Sequence, residues 1–433
     1  MRALAHSPRP MLARLMAGTF WNLWANAVYR GVALTLSVYL AHVLTATQYA
    51  DFNILQNALT TLFTIASMGL GLTATRYTAE LANTDKQRCG EVVSGILLGS
   101  AACSAVLALL LLAFCVPIAG FLLKNEAGYG QIIALSGLLI TTVLISVQAG
   151  VFAGLQAFRA SALVQTASGA LSLLAQLAAA SRGSFSAFLA AWLAGNALIA
   201  VVNHMALGRL LATRGIRLHW SGAWPALRGI AGFFVPASAA TLVVFPAHTI
   251  ALLTLDSVGR DAIQVSWFQT GLLWVQLIAF VPTALAGTLL PMLTTLMHSE
   301  GGRAMAIWAR RAAAPVFCSI ALLCVAFAVL APWIALLYGP KFESSADVFR
   351  IAALTGFFFS INGLLGNFLA THNAMRAAAA CNAVWSLTYI GLATVVGRFH
   401  GANGMLLSCL AAYLIHFLML ALVTRKLVQS SQT

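Results

Sequence analysis

Hydrophobic residues run through this chain in long unbroken stretches, with polar residues confined to short gaps between them. The runs are about 20 residues long, enough for a helix to cross a hydrocarbon core of roughly 30 Å. Read against turn and charge signals, they predict twelve membrane-spanning helices, at 19–43, 52–75, 92–115, 131–154, 162–180, 185–206, 229–254, 264–296, 313–337, 349–370, 377–396 and 403–424. The eighth is overlong, and Pro282 and Pro291 predict a bend within it. The runs are rich in Ala and Leu and do not alternate, which excludes a β-barrel. The expected fold class is all-α and polytopic, with two six-helix lobes.

Composition sharpens this picture. Of 433 residues, 61% are hydrophobic and only 8% charged, where a soluble domain carries roughly 25%. The net charge of +14 is spread over the gaps and forms no basic module, so no nucleic-acid partner is expected. With the N-terminus inside, 17 Lys and Arg fall in inner segments, 6 in outer ones, and Arg30 within a span; that bias follows the positive-inside rule. The layout predicts a cytoplasmic tail (1–18), an N-terminal lobe (19–206), a cytoplasmic linker (207–228), a C-terminal lobe (229–424) and a cytoplasmic tail (425–433). Both termini are expected on the cytoplasmic side.

The halves echo one another at a fixed step of about half the chain. Gln156-Ala-Phe-Arg159-Ala-Ser-Ala162 corresponds to Asn373-Ala-Met-Arg376-Ala-Ala-Ala379. With a slip of two positions, Ala134-Leu-Ser-Gly137 corresponds to Ala353-Leu-Thr-Gly356. Six spans per half leave the halves in the same orientation, a construction that in transporters places substrate between them.

Candidate chemistry begins with Arg30, about ten residues from each end of the first span. A charge there costs about 2.5–3.5 kcal/mol on insertion scales. Asn22, Asn26 and Arg30 are spaced i, i+4, i+8 and share one helix face, expected to line a watery cavity and bind an anion such as phosphate through the planar guanidinium. The alternative is an Arg bonded to carbonyls. Span 2 carries Asn53, Asn57, Thr60 and Thr64 at helical spacing, and span 8 carries Gln269 and Gln276 beside Trp267 and Trp274. These form either a sugar-binding lining or interhelical hydrogen bonds of about 0.6 kcal/mol each. Pro236, Pro282 and Pro291 are candidate gating positions. Gly95-x-x-x-Gly99 and Gly150-x-x-x-Gly154 read as close-packing faces. His204, His248 and His416 could relay protons, or could be bland lone histidines.

All ten acidic residues fall at span ends or in loops. A cation-coupled drug exporter needs an embedded carboxylate, so the sign of the one embedded charge points to an anionic substrate. Seven scattered cysteines show no metal-ligand spacing, and no phosphate loop or nucleophile elbow occurs. Neither enzyme activity, a metal nor a cofactor is expected.

Several stretches carry a family resemblance: Leu40-Ala-His-Val-Leu-Thr-Ala-Thr-Gln-Tyr-Ala-Asp-Phe52, Met68-Gly-Leu-Gly71 ahead of Arg76, Gly154-Leu-Gln-Ala-Phe-Arg159, and Leu337-Tyr-Gly-Pro-Lys-Phe-Glu343 leading into Val348-Phe-Arg-Ile-Ala-Ala-Leu354. With them the chain resembles the polysaccharide repeat-unit flippases (Wzx type) of the multidrug/oligosaccharidyl-lipid/polysaccharide (MOP) exporter superfamily. His42 departs from the usual Arg and Ala50 from the usual Gly. The resemblance implies an inner-membrane flippase for undecaprenyl-pyrophosphate-linked oligosaccharide, working by alternating access around a V-shaped cavity, with Arg30 as a cationic cavity residue. It also implies lipid, a glycan polymerase and chain-length machinery as partners. The alternatives are a cation-coupled multidrug exporter of the same superfamily and a non-transport membrane component such as a polymerase or ligase.

Overall fold

The computed structural model describes residues 8–67, 69–230, 245–257, 262–280, 316–371 and 374–430, and among these every regular element is helical. Helices dominate because lipid offers backbone N–H and C=O groups no partners, so each span must satisfy its own. In order they are α1 (Pro8–Val43), α2 (Ala46–Ser67), α3 (Leu70–Leu81), α4 (Lys86–Ala113), α5 (Cys115–Leu123), α6 (Tyr129–Gly154), α7 (Phe158–Ala180), α8 (Phe185–Thr213), α9 (Phe245–Ser257), α10 (Ala262–Ile278), α11 (Val316–Leu337), α12 (Ala346–Thr371), α13 (Met375–Val395) and α14 (Gly401–Ser430). Eight described helices are long and apolar enough to cross a membrane, and α2 with α3 counts as a ninth if the bent pair is one span. With α1, α9 and α10 this is consistent with twelve.

The second span, predicted over 52–75, begins earlier and is broken. It bends by 44° between α2 and α3, where Gly69 takes φ 66°, a left-handed conformation that a glycine adopts without a Cβ penalty. The bend predicted in the eighth span falls at Pro282 and Pro291, outside the described residues, as does Pro236. Polar side chains set the helix starts: Asp85 accepts from Arg88 N at 3.0 Å ahead of α4, and Ser184 from Ala187 N at 3.2 Å ahead of α8.

The internal repeat is visible in the helix bounds. The step along the chain from Tyr129 to Ala346, where α6 and α12 begin, equals the step from Gly154 to Thr371, where they end. The same step leads from Phe158 to Met375, the first residues of α7 and α13. The connecting turn is also the same in both halves. Ala157 N donates to Phe152 O at 2.9 Å, and at the equivalent positions Ala374 N donates to Leu369 O at 3.0 Å. This bond closes a helix C-terminus by satisfying one of its open carbonyls.

The chain divides into two compact units. One holds residues 1–37 and 58–239, the other 38–57 and 240–433. Within the first, α3 packs on α6 through Gly71, Gly150 and Gly154; a Cβ on Gly154 would sit 2.6 Å from Thr75 O. Thr75 Oγ1 also donates to Gly150 O at 3.1 Å. Residues 216–230 lie along α4, where a Cβ on Gly99 would come 2.7 Å from Leu227 Cδ2. Both glycine pairs are therefore close-packing faces. In the second unit α12, α13 and α14 pack together with α9 and α10 alongside. On α11 the exposed side chains Leu322, Val325, Val329, Trp333 and Leu336 follow helical spacing and form an outward apolar stripe suited to lipid.

Gly154→Leu should overpack the α3–α6 contact and destabilise the protein by about 1–3 kcal/mol. A thermal-unfolding scan in detergent reads this as a lowered midpoint. Gly169→Ala, with no atom within 4 Å of its added Cβ, should leave the midpoint unchanged or slightly raised.

Candidate functional site

A polar stripe on α1 needs surroundings other than lipid, so burial along this helix is informative. None of the described side chains from Phe20 to Leu36 is buried, and burial begins at Ser37. Asn26 is exposed, Arg30 is half-buried, and the space beside Gly31 is open to 4 Å. The side chain of Asn22 lies outside the described residues. A guanidinium and a carboxamide one turn apart on a helix can hold an anion by charge and by directed N–H bonds. Nearby, the guanidinium of Arg159 lies 5.8 Å from the Trp21 ring, a cation–π contact at the stripe's first turn.

The other predicted polar residues are distributed differently. Asn57 is buried, and its Oδ1 accepts from Thr249 Oγ1 on α9 at 2.8 Å. Thr64 is buried and donates to Thr60 O at 2.9 Å. Asn53 Nδ2 donates to Tyr49 O at 2.8 Å. These three α2 residues are bonded within the protein. On α10, Gln276 is exposed, while Gln269 is half-buried with its Oε1 enclosed and, among the described residues, without a hydrogen-bond partner. Trp267 Nε1 donates to Lys341 O at 3.0 Å and Trp274 Nε1 to Tyr338 Oη at 3.1 Å, which leaves neither indole N–H available to a sugar. Among the described residues no group of His, Cys, Asp and Glu is placed to hold a metal.

Two stretches far apart in sequence meet in the second unit. Lys341 Nζ donates to Ala41 O at 3.0 Å and to Leu44 O, closing the open carbonyls at the C-terminal end of α1. Gly339, at φ 83°, leaves room that a Cβ would fill 3.0 Å from His42 Nε2. Beneath them Tyr49, Tyr338 and Phe342 are fully buried and stack edge to face or tilted, with Tyr338 and Phe342 centroids 4.9 Å apart. Tyr49 Oη also lies 3.3 Å from Thr270 Oγ1. The role of Lys341 had no clear sign in sequence beyond a basic residue set between Pro and Phe.

The same unit holds a cage that sequence reading reduced to a single histidine. The His248 ring on α9 lies 5.6 Å from Trp385, tilted, and 5.3 Å from Tyr389, edge to face, both on α13, whose own rings are 5.7 Å apart. Trp385 also lies 4.8 Å from Tyr413 on α14. Among the described residues, His248 Nδ1 and Trp385 Nε1 are enclosed and have no hydrogen-bond partner.

Comparison with known proteins adds to this geometry. Residues 15–249 match the family described as Polysaccharide biosynthesis protein. The chain is 28% identical over 417 residues to the EPS I polysaccharide export inner membrane protein EpsE of Ralstonia nicotianae, covering 94% of this chain and 93% of that protein. An inward-facing multidrug resistance MATE family transporter of the MOP superfamily superposes with a TM-score of 0.73 at 12% identity, over 96% of this chain and 95% of that one. The lipid II flippase MurJ in an inward closed conformation gives 0.72 at 13% identity, over 93% and 86%. At these identities the structural likeness shows a shared fold.

Lys341→Ala should open the carbonyls at the end of α1 and lower stability by about 1.5–3 kcal/mol, the range for hydrogen bonds to a charged group. A reduced thermal midpoint of the purified protein checks it.

Proposed function

The chain belongs to the polysaccharide biosynthesis protein family and carries the fold of the MOP exporters, and from that premise we propose that it is a flippase for lipid-linked oligosaccharide. In this reading it moves undecaprenyl-pyrophosphate-linked repeat units from the cytoplasmic to the periplasmic leaflet of a bacterial inner membrane, by alternating access, with both termini cytoplasmic. The observation that carries it is the Asn26–Arg30 face of α1: a cation within a span, on a stretch of helix where no described side chain is buried. The export of an EPS I polysaccharide by a relative of matching length supports the substrate class.

The physical need is large. Moving bare ions into hydrocarbon costs tens of kcal/mol by Born estimates, so a pyrophosphate must exchange its hydration for protein donors along the way. Arg30 offers a planar, always-charged fork for it, and Asn22, Asn26 and the exposed Gln276 offer amides to the pyrophosphate and glycan. The prenyl tail stays in lipid, where it is already solvated. A negative-inside potential favours outward movement of the anion by about 2.3 kcal/mol per charge per 100 mV. We assign Asn57 to holding α2 against α9 through Thr249, while Thr64 is bonded back to Thr60 O of its own helix. Pro236, Pro282 and Pro291 are the proposed bending points for gating, and glycan polymerase and chain-length proteins the proposed partners downstream.

The rival multidrug-exporter reading draws on the same fold. It is disfavoured because every described acidic residue lies near a helix end or in a turn, leaving no embedded carboxylate among them to exchange a cation.

Arg30→Ala should abolish surface polysaccharide in cells that depend on this chain, with normal insertion, while lipid-linked oligosaccharide accumulates on the cytosolic side. Arg30→Lys, keeping charge without the fork, should retain part of the export. Wild-type polysaccharide levels from Arg30→Ala would remove the residue from the pathway.

A further inference from the structure

We propose that residues 214–230 form a binding site for the headgroup of an anionic phospholipid in the cytoplasmic leaflet. The choice of leaflet rests on the orientation proposed above. The site itself follows from what this segment packs against and what it leaves exposed.

The segment follows α8 and settles onto α4, where three glycines make room for it. A Cβ on Gly90 would strike Arg217 O, one on Gly95 Ala223 O, and one on Gly99 the Leu227 side chain. The backbone thus runs beside α4 from its second turn to its fourth, in the same direction. Residues 223–230 are helical, with Pro225 in the first turn, where a missing N–H forfeits no intrahelical bond. Ala223, Leu227 and Ile230 are buried at i, i+4, i+7, as is Ile216. Ile216, Leu227 and Ile230 belong to one core with Val93 and Ile96 of α4.

Trp224 and Arg228, one turn apart, are exposed, as is Trp220 just before the helix. Trp224 adjoins Ala223 and so stands near the level of Gly95. There α4 passes from charged residues (Lys86, Arg88, Glu91) to an apolar run, and tryptophans gather at that boundary because an indole is apolar with one polar edge. Arg228 starts a turn deeper. Side chains lean toward their helix N-terminus, here toward the aqueous side, and its guanidinium lies 5.2 Å from the centre of the Trp224 ring. The charge is thereby drawn back to headgroup level, where its planar fork can hold a lipid phosphate.

Charge selects the ligand. Residues 207–230 hold Arg209, Arg214, Arg217 and Arg228 and neither Asp nor Glu. Glu91 of α4 lies against Gly222 and accepts from Gln87 Nε2 at 3.3 Å. Among the described residues none of the four arginines is ion-paired. Lys86 adds a further cation, its Nζ 3.5 Å from where a Cβ on Gly215 would sit. A patch of one sign facing a leaflet of negative surface potential draws its acidic lipids, and a bound lipid braces the segment that leads out of α8.

The test follows the thermal midpoint of the purified protein in detergent as a soluble short-chain phosphatidylglycerol is added, with phosphatidylcholine of the same chains as control. Phosphatidylglycerol should raise the midpoint saturably and phosphatidylcholine should not. Affinity should fall about fivefold for Arg228→Gln or Arg217→Gln and about 25-fold for both, which is about 1 kcal/mol per cation at 1.4 kcal/mol per tenfold. Arg228→Lys should recover most of the loss. An equal response to both lipids, or an unchanged response in the double variant, overturns the proposal. So does a response to geranyl pyrophosphate but not to phosphatidylglycerol, which would give the patch to the transported substrate. If the double variant does not fold, tryptophan emission in phosphatidylcholine liposomes decides. Brominated phosphatidylglycerol should quench wild type more than brominated phosphatidylcholine does, and Trp220→Phe with Trp224→Phe should remove the excess; equal quenching overturns the site. These readouts do not involve transport, so loss of the flippase reading keeps its own signature, a deletion strain that still exports polysaccharide.

Discussion

The Lys341 ammonium on the last carbonyls of α1 is the interaction that the helix arrangement depends on most. A helix that ends near a membrane surface leaves its final C=O groups without intrahelical partners, and a cation there also complements the negative end of the helix dipole. Lys341 meets both needs at Ala41 and Leu44. The turn into α2 is then sealed by Tyr49 against Phe342 and Tyr338. Residues 38–57 belong to the second unit although the remainder of both helices belongs to the first. Anchoring this hairpin holds the C-terminal end of the helix that carries Asn26 and Arg30, with Arg30 about 20 Å along the axis from that end.

Polar groups within the spans differ in what the fold has done with them. Gln148 donates to Ala200 O, Asn362 to Tyr413 O and Thr249 to Asn57. Such bonds tie helices together where lipid tails give little hydrophobic drive for association. Asn26 is exposed and Arg30 half-buried, on a stretch of α1 where no described side chain is buried. His248 is a third kind, with an enclosed nitrogen that no described residue bonds. Buried polar groups are almost always paired, so an exception of this sort marks where chemistry is to be sought.

The repeat gives these differences a history in the chain. Helices α6, α7 and α8 recur as α12, α13 and α14 at a nearly constant offset, down to the bond that closes the turn between the first pair. The halves share backbone geometry because each must satisfy its own hydrogen bonds in the same solvent. Side chains at matching places remain free to differ, as Arg30 and Ala247 do.

The sequence by itself determined the helical membrane class and the repeat, since hydrocarbon thickness sets helix length and apolar runs report it directly. It also determined the close-packing role of Gly95, Gly99, Gly150 and Gly154, whose spacing is local, and singled out Arg30 by its depth. What only the tertiary structure decided concerns partners distant in sequence. A stripe of Asn and Thr on α2 has the same spacing whether it faces water or a neighbouring helix, and only packing shows Asn57 bonded to Thr249. Trp267 and Trp274 could have lined a sugar site until Lys341 O and Tyr338 Oη were seen to take their N–H groups. The Lys341 cap joins two distant stretches of chain, and the His248 cage draws its walls from another helix. Periodicity records which face a residue shares, and the fold alone decides what that face meets.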